Sequence, residues 1–363
     1  MTTDKPCCCT PELKLPPESA AAHHYHPAPD ETIKAARFHR AHEPLALETH
    51  HLPPLQKDEV HIRVLYAGIN FYESMILKGC YPFTAQPPLT LGGECLGQVL
   101  QIGNAVQDIA IGDSVITFAQ SGFGTSGVIA QQAHVKDKYV FKLPQKTEDP
   151  LWAALPMAYF TAWFLINRCL RIKDNNRVLI HSAAGGVGLA ISDLLRAGGW
   201  HGLNFTGTCS NADKVAYLEK ERGFDKVINV SEKPWSFFAQ NSLLDSIDIL
   251  LDAHGGPYFD DNLAALHSIG GQICIFGAYD GAVQDHEIIA KLRRKNAILS
   301  GFLMWPLIEH RLLCQSVFDE LFDLMKKEKI KPKIDTIFPL TAINDAYAHL
   351  NARKNIGKIL IQI

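Results

Sequence analysis

Long apolar runs, an excess of charge of one sign and a paired set of cysteines are what this sequence lacks. Its 363 residues hold 35 Lys and Arg against 38 Asp and Glu, a net charge of -3, so no basic footprint argues for nucleic acid. The longest apolar stretch, around 153–166, is interrupted by Pro156 and is too short to span a bilayer. The first 32 residues carry Cys, His and Pro where a signal peptide would need a basic start and an apolar run. Nine cysteines are an odd number, and the six beyond the tail (Cys80, Cys95, Cys169, Cys209, Cys274, Cys314) stand apart from one another. That excludes a complete disulfide framework and fits a reducing, cytoplasmic environment.

What is present is order. Arg177-Val178-Leu179-Ile180-His181-Ser182 is a β-branched, apolar run that feeds Ala183-Ala184-Gly185-Gly186-Val187-Gly188 and then a helix-like stretch. Strand, glycine turn and helix in that order are the layout of a dinucleotide-binding site. Gly185 is expected to let the chain turn tightly beside Ala184. Gly186 and Val187 are expected to bring backbone N–H groups towards a pyrophosphate, and Gly188 to let the helix close on its strand.

The rest of the chain falls into two rhythms. From 33 to about 141, β-like runs at 60–67, 96–102, 115–118 and 128–134 alternate with Gly and Pro, which predicts an antiparallel, barrel-like domain. After a helix-like stretch at 151–171, strand candidates at 178–182, 205–209, 227–230, 247–252 and 272–276 alternate with helical segments, the pattern of a doubly wound parallel sheet. A helix at 314–329, a strand at 334–338, a Thr341-capped helix to Arg353 and a strand at 358–363 follow. Residues 1–32 read as a disordered tail. Cys7, Cys8 and Cys9 are either an acylation site or unmodified there, and His23, His24 and His26 with those thiols lack the usual metal-ligand spacing.

Several of these segments resemble the medium-chain dehydrogenase/reductase superfamily, and within it the zinc-lacking quinone oxidoreductase and enoyl reductase branch. They are 183–188, Val64-Leu65-Tyr66-Ala67-Gly68-Ile69-Asn70-Phe71, 88–97 (PLTLGGECLG), Gly112-Asp113-Ser114-Val115, 154–162 (ALPMAYFTA), 330–332 and 355–361. The last two are nearest in wording to the vesicle amine transport protein-like members. The resemblance covers nearly all of 33–363. It implies an α/β fold with a Rossmann dinucleotide-binding domain at 158–303 and a discontinuous GroES-like catalytic domain made of 33–157 and 304–363. It also implies ligands in the cleft between them and a homodimer through the nucleotide domains.

In the related alcohol dehydrogenases a catalytic zinc needs cysteine and histidine ligands. Here Phe71-Tyr72-Glu73 stands at the first ligand's place and Gly92-Gly93-Glu94 at the Gly-His-Glu motif. Without a Lewis acid, reduction of an already polarised double bond remains, because a conjugated carbonyl makes the β-carbon electrophilic unaided. Tyr81 matches a tyrosine that enoyl reductases use near the substrate carbonyl, where a phenol can stabilise the enolate or deliver a proton; it is otherwise an aromatic packed beside Pro82. Asn70 would sit near the nicotinamide ribose and substrate, or serves only as a turn residue. Glu73, where the signature usually has aspartate, and Asp113 read as structural.

For the cofactor, the resemblance points to Thr161 on the nicotinamide side and to Gly255, Phe276 and Gly277 where backbone passes close to the dinucleotide. It adds Asn355 as a contacting amide. Phe71, Phe160, Phe302, Met304 and Trp305 either line an apolar pocket or are core. The end of the second nucleotide-domain strand, Thr208-Cys209-Ser210-Asn211-Ala212-Asp213-Lys214, carries no acid where NAD-specific sites place one. Ser210, Asn211 and Lys214 are therefore expected to recognise a 2′-phosphate, which predicts NADPH; the alternative makes them a plain helix cap and a solvated lysine.

The expected activity is NADPH-dependent, zinc-independent reduction of enones, enals or quinones by a cytoplasmic protein without a transmembrane segment. Two other readings stay open. One is an enoyl-thioester reductase; the other is an NADPH-binding, vesicle- or lipid-associated protein with little turnover, kept alive by Glu73 and by Val230, which stands where relatives often carry a cofactor-contacting tyrosine.

Overall fold

The computed structural model describes residues 32–81, 86–118 and 127–363. Cys7, Cys8, Cys9, His23, His24, His26 and Pro82 lie outside them. The chain opens with strands β1 (Thr32–Phe38), β2 (Ala46–His51) and β3 (Glu59–Gly68), helix α1 (Phe71–Leu77), then β4 (Leu89–Thr90), β5 (Glu94–Ile102), β6 (Ser114–Phe118), β7 (Gln132–Lys136) and β8 (Val140–Lys142). Helix α2 (Pro156–Phe164) follows, begun by a proline whose missing N–H costs nothing at that position. Then come β9 (Arg177–Ile180), α3 (Gly186–Ala197), β10 (Asn204–Cys209), α4 (Ala212–Lys220), β11 (Lys226–Asn229), α5 (Trp235–Asn241), β12 (Ile249–Asp252), α6 (Phe259–Ala265), β13 (Gln272–Ile275), α7 (Ile288–Lys295) and β14 (Ile298–Gly301). The chain closes through α8 (Trp305–Ile308), α9 (Arg311–Lys326), β15 (Ile334–Pro339), α10 (Ile343–Asn351) and β16 (Lys358–Gln362).

Two compact units result, one of residues up to 153 with 337–352 and 360–363, the other of 154–336 with 353–359. The sequence places the nucleotide-domain boundary at 303, whereas this second unit runs on to Thr336. Helix α9 stays with it because it packs on α2, and Glu320 accepts a hydrogen bond from Trp163 Nε1 at 2.9 Å.

The second unit is built on a six-stranded parallel sheet ordered β11-β10-β9-β12-β13-β14. Val178, Leu179, Ile180, Ile249, Leu250 and Leu251 are all fully buried, as strands covered on both faces must be. The order reverses between β9 and β12, the switch point at whose carboxyl edge doubly wound sheets bind ligands. Trp235, Phe259, Leu263, Leu266 and Ile273 form the core on which α5 and α6 sit.

The first unit is β-rich. A three-stranded sheet runs β2-β1-β4, and a larger one runs β15-β16-β3-β5-β6-β8 with β7 also on β3. The run at 128–134 does not form one strand: Ile129 N–H bonds Leu91 O and its carbonyl takes Ala36 N–H, so ladder pairing with β3 starts only at Gln132. Thr341 does not cap α10 either. It lies in the 3-10 turn Leu340–Ala342, and Ala342 is the N-cap.

His134 of β7 packs edge-on against His61 of β3, with ring centroids 4.8 Å apart. Burial, helped by the neighbouring imidazole, pushes the His134 pKa down to about 4 from 6.5. A depressed imidazole is neutral in the fold but protonates on unfolding, so stability should fall as pH drops from 6.5 towards 4, by about 1.4 kcal/mol per pH unit. Urea unfolding at pH 7, 6 and 5 checks this. The wild-type slope should exceed that of His134→Gln, and equal slopes would refute it.

Candidate functional site

The second unit gathers its site residues at the carboxyl edge of the parallel sheet. After β9 the chain turns through 181–184 and enters α3 at Gly186. The sharp residue of that turn is Ser182 (φ 54), not Gly185, which is extended (φ -77) and caps the helix. Ser182 is pinned in this conformation from both sides: its N–H donates to Thr208 Oγ1 at 3.2 Å, and its carbonyl accepts Gly185 N–H at 2.9 Å. Gly185, Gly186 and Val187 are partly exposed, so their backbone is open to a ligand. Gly188 is buried, and a Cβ there would lie 2.7 Å from Ala183 Cα, Ala183 O and Ser182 O. The N–H groups of the first turn of α3 have no intrahelical partner and carry the positive end of the helix dipole.

The returning segment 353–359 closes on this turn. Gly357 N–H donates to Ala184 O at 2.8 Å, and Gly185 and Gly357 form a parallel bridge. Asn355 is buried and donates from Nδ2 to Gly357 O at 2.8 Å, so it shapes the segment that braces the glycine turn. At the end of β10, Ser210 Oγ and Lys214 Nζ both donate to the Arg353 carbonyl, at 3.3 and 2.7 Å. Burial lowers the Lys214 pKa. Asn211 is the N-cap of α4, its Oδ1 accepting Lys214 N–H at 2.9 Å. Asp213 is exposed on α4.

Between β12 and β13 lies a polar network that sequence patterning did not reveal. Asp252 is fully buried; Oδ1 accepts His254 N–H at 2.7 Å and Gly255 N–H at 3.2 Å, and Oδ2 accepts Asn262 Nδ2 at 3.0 Å. Burial pushes this carboxyl up to about 6 against the three N–H donors that pull it down. Asn262 Oδ1 in turn accepts Trp235 Nε1 at 2.8 Å and His181 Nε2 at 2.9 Å. Burial holds His181 neutral, at about 3. Its Nδ1 therefore accepts from the Thr208 hydroxyl at 3.0 Å.

His254 links the two halves of the edge. Nδ1 lies 2.7 Å from Asp280 Oδ2 and Nε2 lies 3.0 Å from Ser182 Oγ. A carboxylate only accepts, so Nδ1 carries the proton and Nε2 accepts from the Ser182 hydroxyl. Burial lowers the His254 pKa, while Asp280 opposes that. Burial pushes the Asp280 carboxyl up, but the His254 ring and the Arg353 guanidinium outweigh it and leave it below the usual value. The only signals in the sequence were a lone histidine and an aspartate just past two strands.

Gly255 (φ 81) and Gly277 bring the β12 and β13 loops together: a Cβ on Gly255 would lie 2.6 Å from Gly281 O, and one on Gly277 would strike Ala253 O. Phe276 is anchored by its N–H to Asp252 O at 2.9 Å. Thr161, in mid α2, points its hydroxyl at Met304 Sδ, 3.9 Å away. Phe160, Met304 and Trp305 are buried.

Asn70 and Tyr81 belong to the first unit. Asn70 precedes α1, where its N–H donates to Glu73 Oε2 at 2.8 Å and its side-chain amide donates to Glu94 Oε1 at 2.9 Å. The same Glu73 oxygen accepts Tyr347 Oη at 2.9 Å, so Glu73 ties α1 to α10. The Tyr81 ring lies 5.4 Å from that of Tyr72, whose phenol is raised well above its ordinary pKa by burial and by Glu73. A Cβ on Gly93 would collide with the Tyr72 hydroxyl, so the space where related dehydrogenases carry a histidine ligand is taken by a phenol. A phenol, a carboxamide and two glutamates do not match the Cys/His donors of a catalytic zinc. Among the described residues no three of His, Cys, Asp and Glu converge as metal ligands. None of the described helices is long and apolar enough to cross a membrane.

A parallel sheet with this strand order, a glycine turn closed on its strand and a separate β-rich unit define a Rossmann-like sheet joined to a second, β-rich unit, the fold of an oxidoreductase. Two family models agree: a zinc-binding dehydrogenase model matches residues 222–361, and an alcohol dehydrogenase GroES-like domain model matches 56–145. The chain belongs to the medium-chain dehydrogenase/reductase superfamily. It is 28% identical over 323 residues to a synaptic vesicle membrane protein VAT-1 homolog of Danio rerio, an alignment that takes in 85% of this chain and 65% of the relative, less than two thirds of its length. It is 28% identical over 341 residues to quinone oxidoreductase-like protein 2 of Bos taurus, covering 91% of this chain and 92% of the relative. The fold matches that of Escherichia coli quinone oxidoreductase complexed with NADPH at a TM-score of 0.77, with 24% identity over 92% of this chain and 100% of that one.

Proposed function

We propose that the protein is a zinc-independent, NADPH-dependent reductase of activated double bonds in enones, enals or quinones, cytoplasmic and homodimeric. The observation that carries the cofactor is the buried Gly188, which lets the start of α3 sit against the β9 turn with Gly185, Gly186 and Val187 partly exposed. Ala184 and Asn355 fix that turn through Gly357. Gly255, Phe276, Gly277 and Thr161 are assigned to the remainder of the dinucleotide. A nicotinamide bound there supplies the hydride. Asn70, held by Glu94, is assigned to orient the substrate, and the Tyr81 phenol to stabilise the developing enolate or protonate it.

Purified protein incubated with NADPH and a panel of quinones and enones tests the reading. Substrate-dependent loss of NADPH supports it, whereas tight NADPH binding without turnover would make the chain a nucleotide-binding protein. Tyr81→Phe should keep cofactor affinity and lower kcat by about 10²-fold, the weight of one oxyanion hydrogen bond. Turnover at the wild-type rate would make Tyr81 a packing residue.

Cofactor choice is assigned to Ser210, Asn211 and Lys214, where no acid follows β10 until the exposed Asp213. NADPH should bind more tightly than NADH. Ser210→Asp should weaken NADPH by about 10- to 100-fold and leave NADH nearly unchanged, because it sets two negative charges side by side. Calorimetric titration of both cofactors decides, and equal wild-type affinities would refute the assignment.

A further inference from the structure

We infer that Ser182, His254 and Asp280 form an acyl-transfer site that takes small, uncharged carboxylic esters. The assignment does not require the cofactor, and because it uses the α3 N–H groups proposed above for the pyrophosphate, it describes the cofactor-free protein, which is the form used in its test. Three geometric conditions define such a site: a hydroxyl bonded to an imidazole, that imidazole bonded to a carboxylate, and donors for the oxyanion. The first two are met at 3.0 and 2.7 Å, with the imidazole in the tautomer that accepts from the serine. For the third, the first turn of α3 starts at Gly186, four positions after the serine, and presents N–H groups without intrahelical partners.

The placement in the fold is as telling as the distances. The three residues follow β9, β12 and β13, so they meet at the switch point of the parallel sheet, where the carboxyl ends of strands on either side converge. Ser182 occupies a strained strand-to-helix turn (φ 54), fixed by Thr208 and Gly185, a conformation in which a serine hydroxyl stands clear of its strand. The serine is partly exposed, while the His254 side chain is only 5% exposed. Tyr258 stacks on the imidazole at 4.4 Å, and the second Asp280 oxygen is held by Arg353 at 3.2 Å. An aromatic wall and an arginine already engaged by the carboxylate favour an uncharged acyl group over an anionic one.

The step is balanced without a further reagent. Ser182 Oγ bonds to the ester carbonyl carbon as its proton passes to His254 Nε2. The carbon–oxygen bond to the alcohol then breaks, and the alcohol leaves with that proton. Water, deprotonated by the same imidazole, hydrolyses the acyl-serine to the acid and the free hydroxyl.

Full-length protein treated with an alkyl fluorophosphonate, digested and analysed by mass spectrometry tests this directly, since loss of fluoride leaves a phosphonyl group on the nucleophile. The expected result is a label on Ser182, together with hydrolysis of p-nitrophenyl acetate that Ser182→Ala abolishes. His254→Ala should slow both reactions by at least about 100-fold. A wild-type protein that is unlabelled at Ser182, or labelled only elsewhere, overturns the proposal whether or not either variant folds. So does ester hydrolysis that survives in Ser182→Ala.

Discussion

Gly188→Val is expected to abolish NADPH binding and to destabilise the protein by about 3 kcal/mol. The atoms a side chain would meet, Ala183 Cα and O and Ser182 O at 2.7 Å, are all backbone, so none can swing aside. The start of α3 must move off β9, carrying with it the N–H groups assigned above to the pyrophosphate. Gly186→Ala makes the contrast. Its Cβ meets Lys358 Cδ at 3.6 Å and Ala158 Cβ at 3.8 Å, ordinary contact. That variant should be as stable as the wild type or slightly more so, since alanine suits a helix better, yet should lose cofactor affinity if the pyrophosphate lies against this backbone. Calorimetric titration and urea unfolding of both variants check the pair; a Gly188→Val protein that binds NADPH normally would refute the assigned turn.

Asp252→Ala is expected to cost about 3–5 kcal/mol in unfolding free energy. The wild-type carboxylate is fully buried and serves three donors, His254 N–H, Gly255 N–H and Asn262 Nδ2. Alanine leaves all three in place without a partner and without water. The loss should spread, because Asn262 also positions Trp235 and His181 through its carbonyl oxygen. Equilibrium unfolding in urea measures it, and a cost under about 1 kcal/mol would mean that the network can be re-satisfied.

The sheet was legible because its strands announce themselves. Val178-Leu179-Ile180 and Ile249-Leu250-Leu251 are unbroken apolar runs, the signature of strands buried on both faces, and the glycines after β9 mark where a helix must start. Other elements were hidden for physical reasons. Strand β14 is exposed at both ends and half-buried between them, and its four residues are too few for a period. The positive-φ residue of the site's turn is a serine, although three glycines stand nearby, because Thr208 and Gly185 hold its backbone there. His181, the neighbours Asp252 and His254, Asn262 and Asp280 come from four places along the chain, and only the closing of the sheet makes them one network. A polar residue after a strand looks like a loop residue until the strand beside it is known. In the first unit, Gly93 was readable as a missing ligand, but the phenol of Tyr72 in its space was not.

The bond from Gly357 to Ala184 has a consequence for biosynthesis. The β9 turn leaves the ribosome long before the segment that braces it, and at about 5–20 residues per second the interval is on the order of ten to thirty seconds. During that time Ala184 O has no Gly357 N–H to accept, and Ser210 and Lys214 have no Arg353 carbonyl to donate to. The nascent sheet can form, yet its carboxyl edge stays unbraced until residues 353–357 have been made. On the proposed cofactor reading, loading must wait for residues 353–357, and ribosome-bound chains ending before residue 353 should be protease-sensitive at 181–188 while their strands are already protected.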